Sequence, residues 1–169
     1  MAGQTKVVLV LLLTVAATAF GNHGCLRCPA GWSLFKGRCF QYFGFRTDWA
    51  SAEKHCLTQG AHLISIHNEE DYQHAKSIIR AQDPGENPTW IGLSRCKNGL
   101  NWSWSDGTQV TFTKWNPGEP NTLPNEFCVH MNWFHSFTSH GIFFGSGIKN
   151  WNNIPCNNVY PFVCVKRSQ

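Results

Sequence analysis

Apolar residues recur along this chain first with the period of β-strands, then with that of helices, and then with that of strands again. The segment CPAGWSLFKGRCFQYF, which begins at Cys28, has two alternating runs on either side of Lys36 and Gly37. A glycine-containing turn between two such runs is typical of a β-hairpin. Cys28 and Cys39 are close enough in sequence to staple this hairpin with a disulfide bond.

The helical period follows the hairpin. In TDWASAEKHCLTQG the residues that share one helical face are Trp49, Ala52 and Cys56. This spacing predicts a first helix over residues 48–59, with Thr47 as its N-cap and Gly60 as its stop. The next segment, AHLISIH, has the pattern of a strand. Asn68 then precedes EEDYQHAKSIIRAQ, whose acidic first turn predicts a second helix.

The rest of the chain has short apolar runs separated by Gly, Asn and Pro, which predict strands and turns. The predicted strands are TWIGLS, NWSWSDG, TQVTF, FCVHMNW, NWNNIPC and PFVCVKR. Helices first and strands later predict an α+β fold rather than alternating βαβ units. The stretch from about Trp115 to Trp151 is too long for an ordinary loop, so it is either functional or poorly ordered.

The first residues are typical of a secretory leader. One lysine precedes an apolar run that ends in Ala17-Thr18-Ala19, a small-residue pattern that signal peptidase cleaves. The run is shorter than the roughly 20 apolar residues of a transmembrane helix. We therefore expect a signal peptide at 1–19, an N-terminal segment at 20–27 and one folded domain at 28–166, in a secreted protein without a membrane anchor.

All 8 cysteines follow the leader, and an even number in a secreted chain predicts disulfides rather than thiol chemistry. Their wide spacing argues against a zinc site, and the single CxxC at Cys25 and Cys28 is weak evidence for redox catalysis. The formal net charge is +4, and the basic residues are scattered rather than grouped. This distribution argues against nucleic acid as a partner.

The candidate binding chemistry lies in two polar segments, GEPNTLPNEFC and WNN. If Cys128 and Cys156 are bridged, the two segments are held side by side. The oxygens that could then converge belong to Glu119, Asn121, Glu126, Asn152 and Asn153. Hard oxygen ligands of this kind suit Ca²⁺. On composition alone, the alternative that these are ordinary loop residues is equally well supported.

The sequence does not favour catalysis. Glu119 and Glu126 supply the two carboxylates of a glycosidase, but an irregular loop fixes no separation between them, and no nucleophile with an adjacent base stands out. The histidines at 130, 135 and 140 match neither a helix face nor a strand face, which argues against a metal site. Asn101 begins an N-glycosylation sequon and is the candidate glycosylation site.

From about Cys28 to Val165 the sequence resembles the C-type lectin-like domain. The motifs that carry the resemblance are CPAGW, AEKHC, TWIGL, WSWSDG, EPN, NEFC, WNNIPC and PFVCV. The resemblance implies an α+β fold with two helices, two small antiparallel sheets and a long irregular binding loop. It also implies the disulfides Cys28–Cys39, Cys56–Cys164 and Cys128–Cys156. Cys25 and Cys96 are then left either to pair with each other or to bridge to a second chain.

The resemblance further implies a sugar site. Glu119 and Asn121 would flank a cis Pro120 and bind one Ca²⁺ together with Glu126 and Asn152. Two adjacent hydroxyls of a hexose would complete the calcium shell and hydrogen-bond to the same side chains. The order Glu-Pro-Asn implies glycans with equatorial 3- and 4-hydroxyls, of the mannose, GlcNAc or fucose type rather than galactose.

The chain departs from the family pattern in two places. Asn153 stands where calcium-binding members usually have Asp, which leaves two carboxylates and implies a weaker site, with a dissociation constant of about 10⁻⁴ to 10⁻³ M. The segment 129–150 is longer than in many members. Its start predicts a core strand with Val129, Met131 and Trp133 directed inward. Its aromatic remainder predicts either a hairpin packed on the domain or an exposed apolar tongue.

Two functions follow from this sequence. The favoured one is a secreted calcium-dependent lectin of the mannose type that recognises glycans in innate defence. The alternative is a degenerate member without calcium-dependent sugar binding, which acts as a protein-binding, venom-type or ice-binding module. The second reading draws on the similarity to short secreted fish lectins, a group that includes type II antifreeze proteins. A disulfide-linked or non-covalent homo-oligomer is compatible with both.

Overall fold

A computed structural model describes residues 26–95, 101–135, 138–139, 142–143 and 147–169. The predicted signal peptide, Cys25 and Cys96 lie outside these residues, and the division into segments 20–27 and 28–166 stays a prediction. No helix in the described ranges is long and apolar enough to cross a membrane.

The helices are α1 (Trp49–Thr58) and α2 (Glu69–Gln82). The strands are β1 (Ser33–Phe35), β2 (Arg38–Thr47), β3 (His62–Leu63), β4 (Thr89–Ser94), β5 (Ser103–Trp104), β6 (Cys128–His135), β7 (Thr138–Ser139), β8 (Ile142–Phe143), β9 (Ile148–Ile154) and β10 (Tyr160–Arg167). Helices precede most strands, so the predicted α+β class is confirmed.

Both helices begin at a side chain that caps their free N–H groups. Asp48 Oδ1 accepts a hydrogen bond from Ser51 N at 3.0 Å, so the predicted cap at Thr47 was wrong. Thr47 ends β2 and pairs with Tyr160, which leaves the next residue to begin the helix. α2 has its predicted cap, because Asn68 accepts a hydrogen bond from the third residue of the helix.

The strands form a sheet in the order β1-β2-β10-β4-β6-β9, with β3 paired to β10 and β5 paired to β4. Each named pair is antiparallel except β10 with β4, which are parallel and meet at Phe162 and Trp90. The two antiparallel sheets that the resemblance implied are therefore joined at this pair. The first half, β1-β2-β10, carries the hairpin, and the second half, β4-β6-β9, carries the candidate binding segments.

Two apolar clusters fill the domain. One contains buried residues of α2 together with Trp104 and Trp151, and the other contains buried residues of α1 together with Trp90. The segment TQVTF forms no strand, contrary to the prediction. Its apolar residues Val110 and Phe112 instead pack, partly buried, against the first cluster.

Three disulfides join described residues, and they are the pairs that the resemblance implied: Cys28–Cys39, Cys56–Cys164 and Cys128–Cys156. The first closes the β1–β2 hairpin. The second joins α1 to β10, and the third joins the start of β6 to the residues that follow β9.

The inward pattern predicted for β6 was wrong in part. Val129 and Met131 are buried as predicted, but Trp133 is 37% exposed, and His130 and Asn132 are buried as well. β6 lies between β4 and β9, so both of its edges are paired, and the burial of both alternating sets of residues shows that both of its faces are covered here. The pairing with β9 shifts register after His130, where Asn132 has a φ of +65°, and this bulge turns Trp133 outward.

The 129–150 segment contains the hairpin of the first alternative, since β7 pairs antiparallel with β8. Phe134, at its start, is exposed. Trp133 is exposed as well, whereas the side chains of Phe137, Phe143 and Phe144 lie outside the described residues, so both alternatives stay predictions.

The two ends of the described chain meet beside the β1–β2 turn. Arg27 N donates to Gln169 O at 2.9 Å, and Gln169 N donates to Arg27 O at 3.2 Å. Ser168 N also donates to Gly37 O at 3.0 Å. These bonds place both ends beside the turn that joins β1 to β2, where β10 ends, and β9 forms the edge of the sheet opposite β1.

Candidate functional site

The loop between Trp115 and Cys128 begins at a buried asparagine. Asn116 is 2% exposed, and its backbone N–H donates to Trp151 O at 2.9 Å. Its side-chain Nδ2 donates to Trp133 O at 3.0 Å, and its Oδ1 accepts from Asn150 N at 3.1 Å. One side chain thus ties the start of the loop to both β6 and β9.

The end of the loop is held by Cys128–Cys156 and by Arg95. The backbone N–H of Arg95 donates to Phe127 O at 2.9 Å. Its guanidinium lies 5.0 Å from the ring centre of Trp102 and 5.4 Å from that of Phe127. These contacts are cation–π in character and fix the residue that follows Glu126. The loop of residues 116–127 is therefore anchored to the sheet at both of its ends.

Within the loop, the Glu119–Pro120 peptide bond is cis. Glu119 Oε2 accepts hydrogen bonds from the backbone N–H of Asn121 at 3.0 Å and from its Nδ2 at 2.9 Å. Asn121 Oδ1 accepts from Leu123 N at 2.9 Å. Glu119 and Asn121 are both half-buried. The two side chains on either side of the proline are therefore bonded to each other, and the loop is folded back on itself.

Asn153 closes this arrangement from β9. Its side chain is fully buried, and its Oδ1 accepts from Asn121 N at 2.9 Å. Its Nδ2 donates to Asn121 O at 3.1 Å and to Glu126 O at 3.2 Å. Two longer contacts of 3.4 Å join the same nitrogen to Asn121 Oδ1 and Glu126 Oε2. Four of the five predicted site residues thus belong to one hydrogen-bonded network.

The fifth residue, Asn152, bonds in a different direction. Its Nδ2 lies 3.2 Å from His130 Nε2, on the neighbouring strand. Successive residues of a strand face opposite sides, which explains why Asn152 and Asn153 have different partners. The ring of His130 stacks on Tyr160, with centroids 5.0 Å apart. Burial lowers the pKa of His130 to about 3, against a smaller rise from a backbone hydrogen bond at Met131. The imidazole is therefore neutral, and Nε2 accepts from Asn152.

Sequence reasoning missed three residues that hold the site: Asn116, Arg95 and His130. Nothing in their sequence context distinguishes them, because each acts on a partner that only the fold brings close. Asn101, the predicted glycosylation site, is exposed just before β5. A groove of about 670 Å³ elsewhere, lined by Arg38, His62, Asp106 and Lys166 among others, contains none of the predicted site residues.

The residues present fit a calcium ion poorly. Ca²⁺ takes six to eight oxygen ligands. Here the side chain that faces Asn121 Oδ1 and Glu126 Oε2 is the Nδ2 group of Asn153, which is a hydrogen-bond donor and cannot coordinate a cation. In the part of the chain that the structure describes, no three His, Cys, Asp or Glu side chains group as metal ligands.

Comparison with known proteins identifies similar sequences and structures. The family model described as "Lectin C-type domain" matches residues 46–166. Lactose-binding lectin l-2 of Anguilla japonica is 36% identical over 164 residues, which cover 90% of this chain and 90% of that protein.

Two solved structures illustrate the structural likeness. The calcium-independent type II antifreeze protein matches with a TM-score of 0.71 and 33% identity, over 87% of this chain and 99% of that one. The C-type lectin domain of murine dendritic cell inhibitory receptor 2, in complex with N-glycan, matches with a TM-score of 0.64 and 28% identity, over 83% and 99%.

Proposed function

We propose that this chain, which belongs to the C-type lectin domain family, is a secreted glycan-binding protein whose site is the loop around Glu119, Asn121 and Glu126. The observation that carries the proposal is one hydrogen-bonded network, in which Asn153 bonds to Asn121 and Glu126, and Asn121 bonds to Glu119, with all three loop residues half-buried. Side chains that are held in place and still reachable from solvent lose little entropy when they bind a ligand. Three disulfides support secretion, because such bonds persist in oxidising compartments.

Two adjacent hydroxyls of a sugar match the chemistry of this loop. Among the described residues, Glu119 Oε1 and Glu126 Oε1 have no hydrogen-bond partner, so each carboxylate keeps an acceptor for a hydroxyl. Asn121 Nδ2 uses one of its hydrogens on Glu119 and keeps the other. Hydrogen bonds to a carboxylate are about twice as strong as neutral ones, so they orient the sugar.

We further propose glycans with equatorial 3- and 4-hydroxyls, of the mannose, GlcNAc or fucose type, presented on microbial or endogenous surfaces in innate defence. The support is the Glu-Pro-Asn order of the loop and its resemblance to mannose-type members. One relative is named for lactose, a galactoside, so galactose is the competitor that the experiment has to include. The family is a binding domain, and we propose that Glu119 and Glu126 bind rather than catalyse.

Retention on immobilised mannose, followed by elution with free sugars, tests the proposal. We expect mannose to elute the protein and lactose to leave it bound. Glu119→Gln should weaken retention roughly tenfold, because a charge-assisted hydrogen bond contributes about 1.5 to 3 kcal/mol. Thr122→Ala is the matched control, since Thr122 is exposed in the same loop. Elution by lactose alone would contradict the mannose class, and no retention on any sugar would contradict glycan binding.

A second candidate is a protein-binding, venom-type or ice-binding module that uses the same fold without binding sugar. It is favoured by the way Asn153 closes the loop on itself and by the similarity to a calcium-independent type II antifreeze protein. An ice-recrystallisation assay distinguishes the ice-binding form. Inhibition of crystal growth by this protein, with no retention on any sugar, would favour this candidate over the lectin.

A further inference from the structure

We propose that the side-chain amide of Asn153 takes the place of the divalent cation in this loop, so that the loop is ordered without calcium and excludes it. The inference concerns the loop to which the proposed function assigns binding, and it holds whatever the ligand is. If the inference is correct, the weak calcium site that the resemblance implied is absent from this loop.

The orientation of the amide is fixed by partners whose roles are unambiguous. The backbone N–H of Asn121 can only donate, so the atom 2.9 Å from it has to be the oxygen of Asn153. The carbonyls of Asn121 and Glu126 can only accept, so the atom 3.1 and 3.2 Å from them has to be the nitrogen. A flipped amide would place a donor against a donor and an acceptor against two acceptors.

The Asn153 nitrogen is the point at which the oxygens of the loop converge. Four acceptors lie within 3.4 Å of it, two from Asn121 and two from Glu126. An ion bound among these oxygens would have to displace two N–H groups that are fully buried. The amide therefore supplies the positive end of a dipole where a metal site supplies a charge.

Asparagine and aspartate are not interchangeable at this position, because an amide has one acceptor atom and a carboxylate has two. A carboxylate can accept from Asn121 N with one oxygen and offer the other to a cation. An amide can do only the first, because its second atom is a donor. Without a cation, however, a carboxylate here would face the carbonyls of Asn121 and Glu126 and the charge of Glu126, with no donor to separate them.

Thermal unfolding of the full chain in EDTA and in millimolar calcium tests the inference. The wild type should unfold at the same temperature in both. Asn153→Asp should unfold at a lower temperature in EDTA and recover in calcium, by roughly 5 °C or more if calcium exceeds its dissociation constant by about a hundredfold. Asn68→Asp is the control, because it makes the same charge change at an exposed N-cap where aspartate is equally suitable.

A calcium-dependent rise for the wild type, or heat of calcium binding in calorimetry, would overturn the inference. No response of Asn153→Asp to calcium would overturn the claim that this amide excludes the ion. Asn153→Ala provides a second test in case Asn153→Asp does not fold. Asn153→Ala should be destabilised equally in EDTA and in calcium. If it is instead as stable as the wild type, the amide does not hold the loop.

These measurements contain no sugar, so their outcome is separate from that of the proposed function. Retention of the wild type on mannose in EDTA would agree with both proposals. Loss of retention in EDTA would contradict the inference alone. Absence of retention in every condition would contradict glycan binding and leave the unfolding result to decide the role of Asn153.

Discussion

His130 is a buried histidine whose pKa lies far below its ordinary value. It is fully buried under Asn152, and the rings around it belong to Trp90, Trp133 and Tyr160. Of these neighbours only Tyr160 titrates, and burial raises its pKa, so it stays neutral with the imidazole. Because His130 accepts from Asn152, its neutral form also sets the orientation of one predicted binding residue.

The stability of the protein should fall with acid because of His130. Its pKa in the folded protein is about 3, below the ordinary value of 6.5, so the unfolded chain binds a proton that the folded one refuses. The stabilisation is present above about pH 6.5 and is lost as pH falls toward 3, at about 1.4 kcal/mol per unit. Between roughly pH 7 and pH 5 the loss is about 2 kcal/mol.

Urea unfolding of His130→Gln at these two pH values isolates the effect. Glutamine keeps a side-chain acceptor for Asn152 but does not titrate. The variant should therefore lose about 2 kcal/mol less stability than the wild type between the two pH values. The other histidines are present in both proteins, so their contributions to the pH dependence cancel in the comparison. Equal losses in the two proteins would contradict a buried neutral imidazole.

At the scale of elements, the loop depends on its attachment to β6 and β9. Asn116 is the only described side chain that bonds to both strands from the loop's first turn, through Trp133 O and Asn150 N. Both partners are backbone groups of one residue pair, Trp133 and Asn150, where the β6–β9 pairing resumes after its register shift. The bulge in β6 and the start of the loop are therefore parts of one hydrogen-bonded unit.

Asn116→Ala should detach the loop from the sheet. The substitution leaves Trp133 O and Asn150 N without their partner, and each unsatisfied group costs about 1 to 3 kcal/mol. We expect a loss of about 2 to 4 kcal/mol in the free energy of unfolding. Faster amide hydrogen exchange at Asn150 would locate the effect. Asn157→Ala, at an exposed residue, should change neither quantity, and unchanged protection of Asn150 in Asn116→Ala would contradict this role.

The helices and most strands were predictable because local signals specify them. α2 begins and ends at the predicted residues, since its cap and its acidic first turn are contiguous in sequence. TQVTF has the alternation of a strand but no strand beside it, so Val110 and Phe112 pack partly buried against the first apolar cluster without strand pairing. The outward turn of Trp133 depends on a bulge, which the pattern of apolar residues does not reveal.

The candidate site was predictable as a set of residues but not as an arrangement. The polar loop and the two asparagines could be picked out from their types and spacing. The direction of the Asn153 amide could not, because its partners are main-chain groups of Asn121 and Glu126, on a different segment. The pairing of Asn152 with His130 likewise requires the register between β6 and β9.

At the scale of the whole molecule, two disulfides join different parts of the fold. Cys56–Cys164 spans 108 residues of sequence and joins α1 to the central strand β10 in the second apolar cluster. Cys128–Cys156 spans 28 residues and holds the end of the loop of residues 116–127 beside the residues after β9. We therefore expect the first to stabilise the domain as a unit and the second to stabilise the loop of residues 116–127.

Replacing each pair by alanine should separate these tasks. By loop-closure entropy, loss of Cys56–Cys164 should cost about 5 kcal/mol of unfolding free energy and loss of Cys128–Cys156 about 3.5 kcal/mol. The second variant should be cut first in the loop by limited proteolysis and should lose ligand retention, because its core is intact. The first should unfold at a lower temperature without preferential cleavage there. The reverse pattern of cleavage would contradict this division.

The pairing of Arg27 with Gln169 determines how the molecule can be displayed. Both residues lie beside the β1–β2 turn, whereas the loop of residues 116–127 is bonded to β9, at the edge of the sheet opposite β1. A tether attached near either residue would therefore hold the domain at the β1–β2 turn and leave the loop beside β9 uncovered. Several copies held in this way on one surface would present their loops in the same direction, so weak individual contacts with a dense layer of ligand would combine into high avidity.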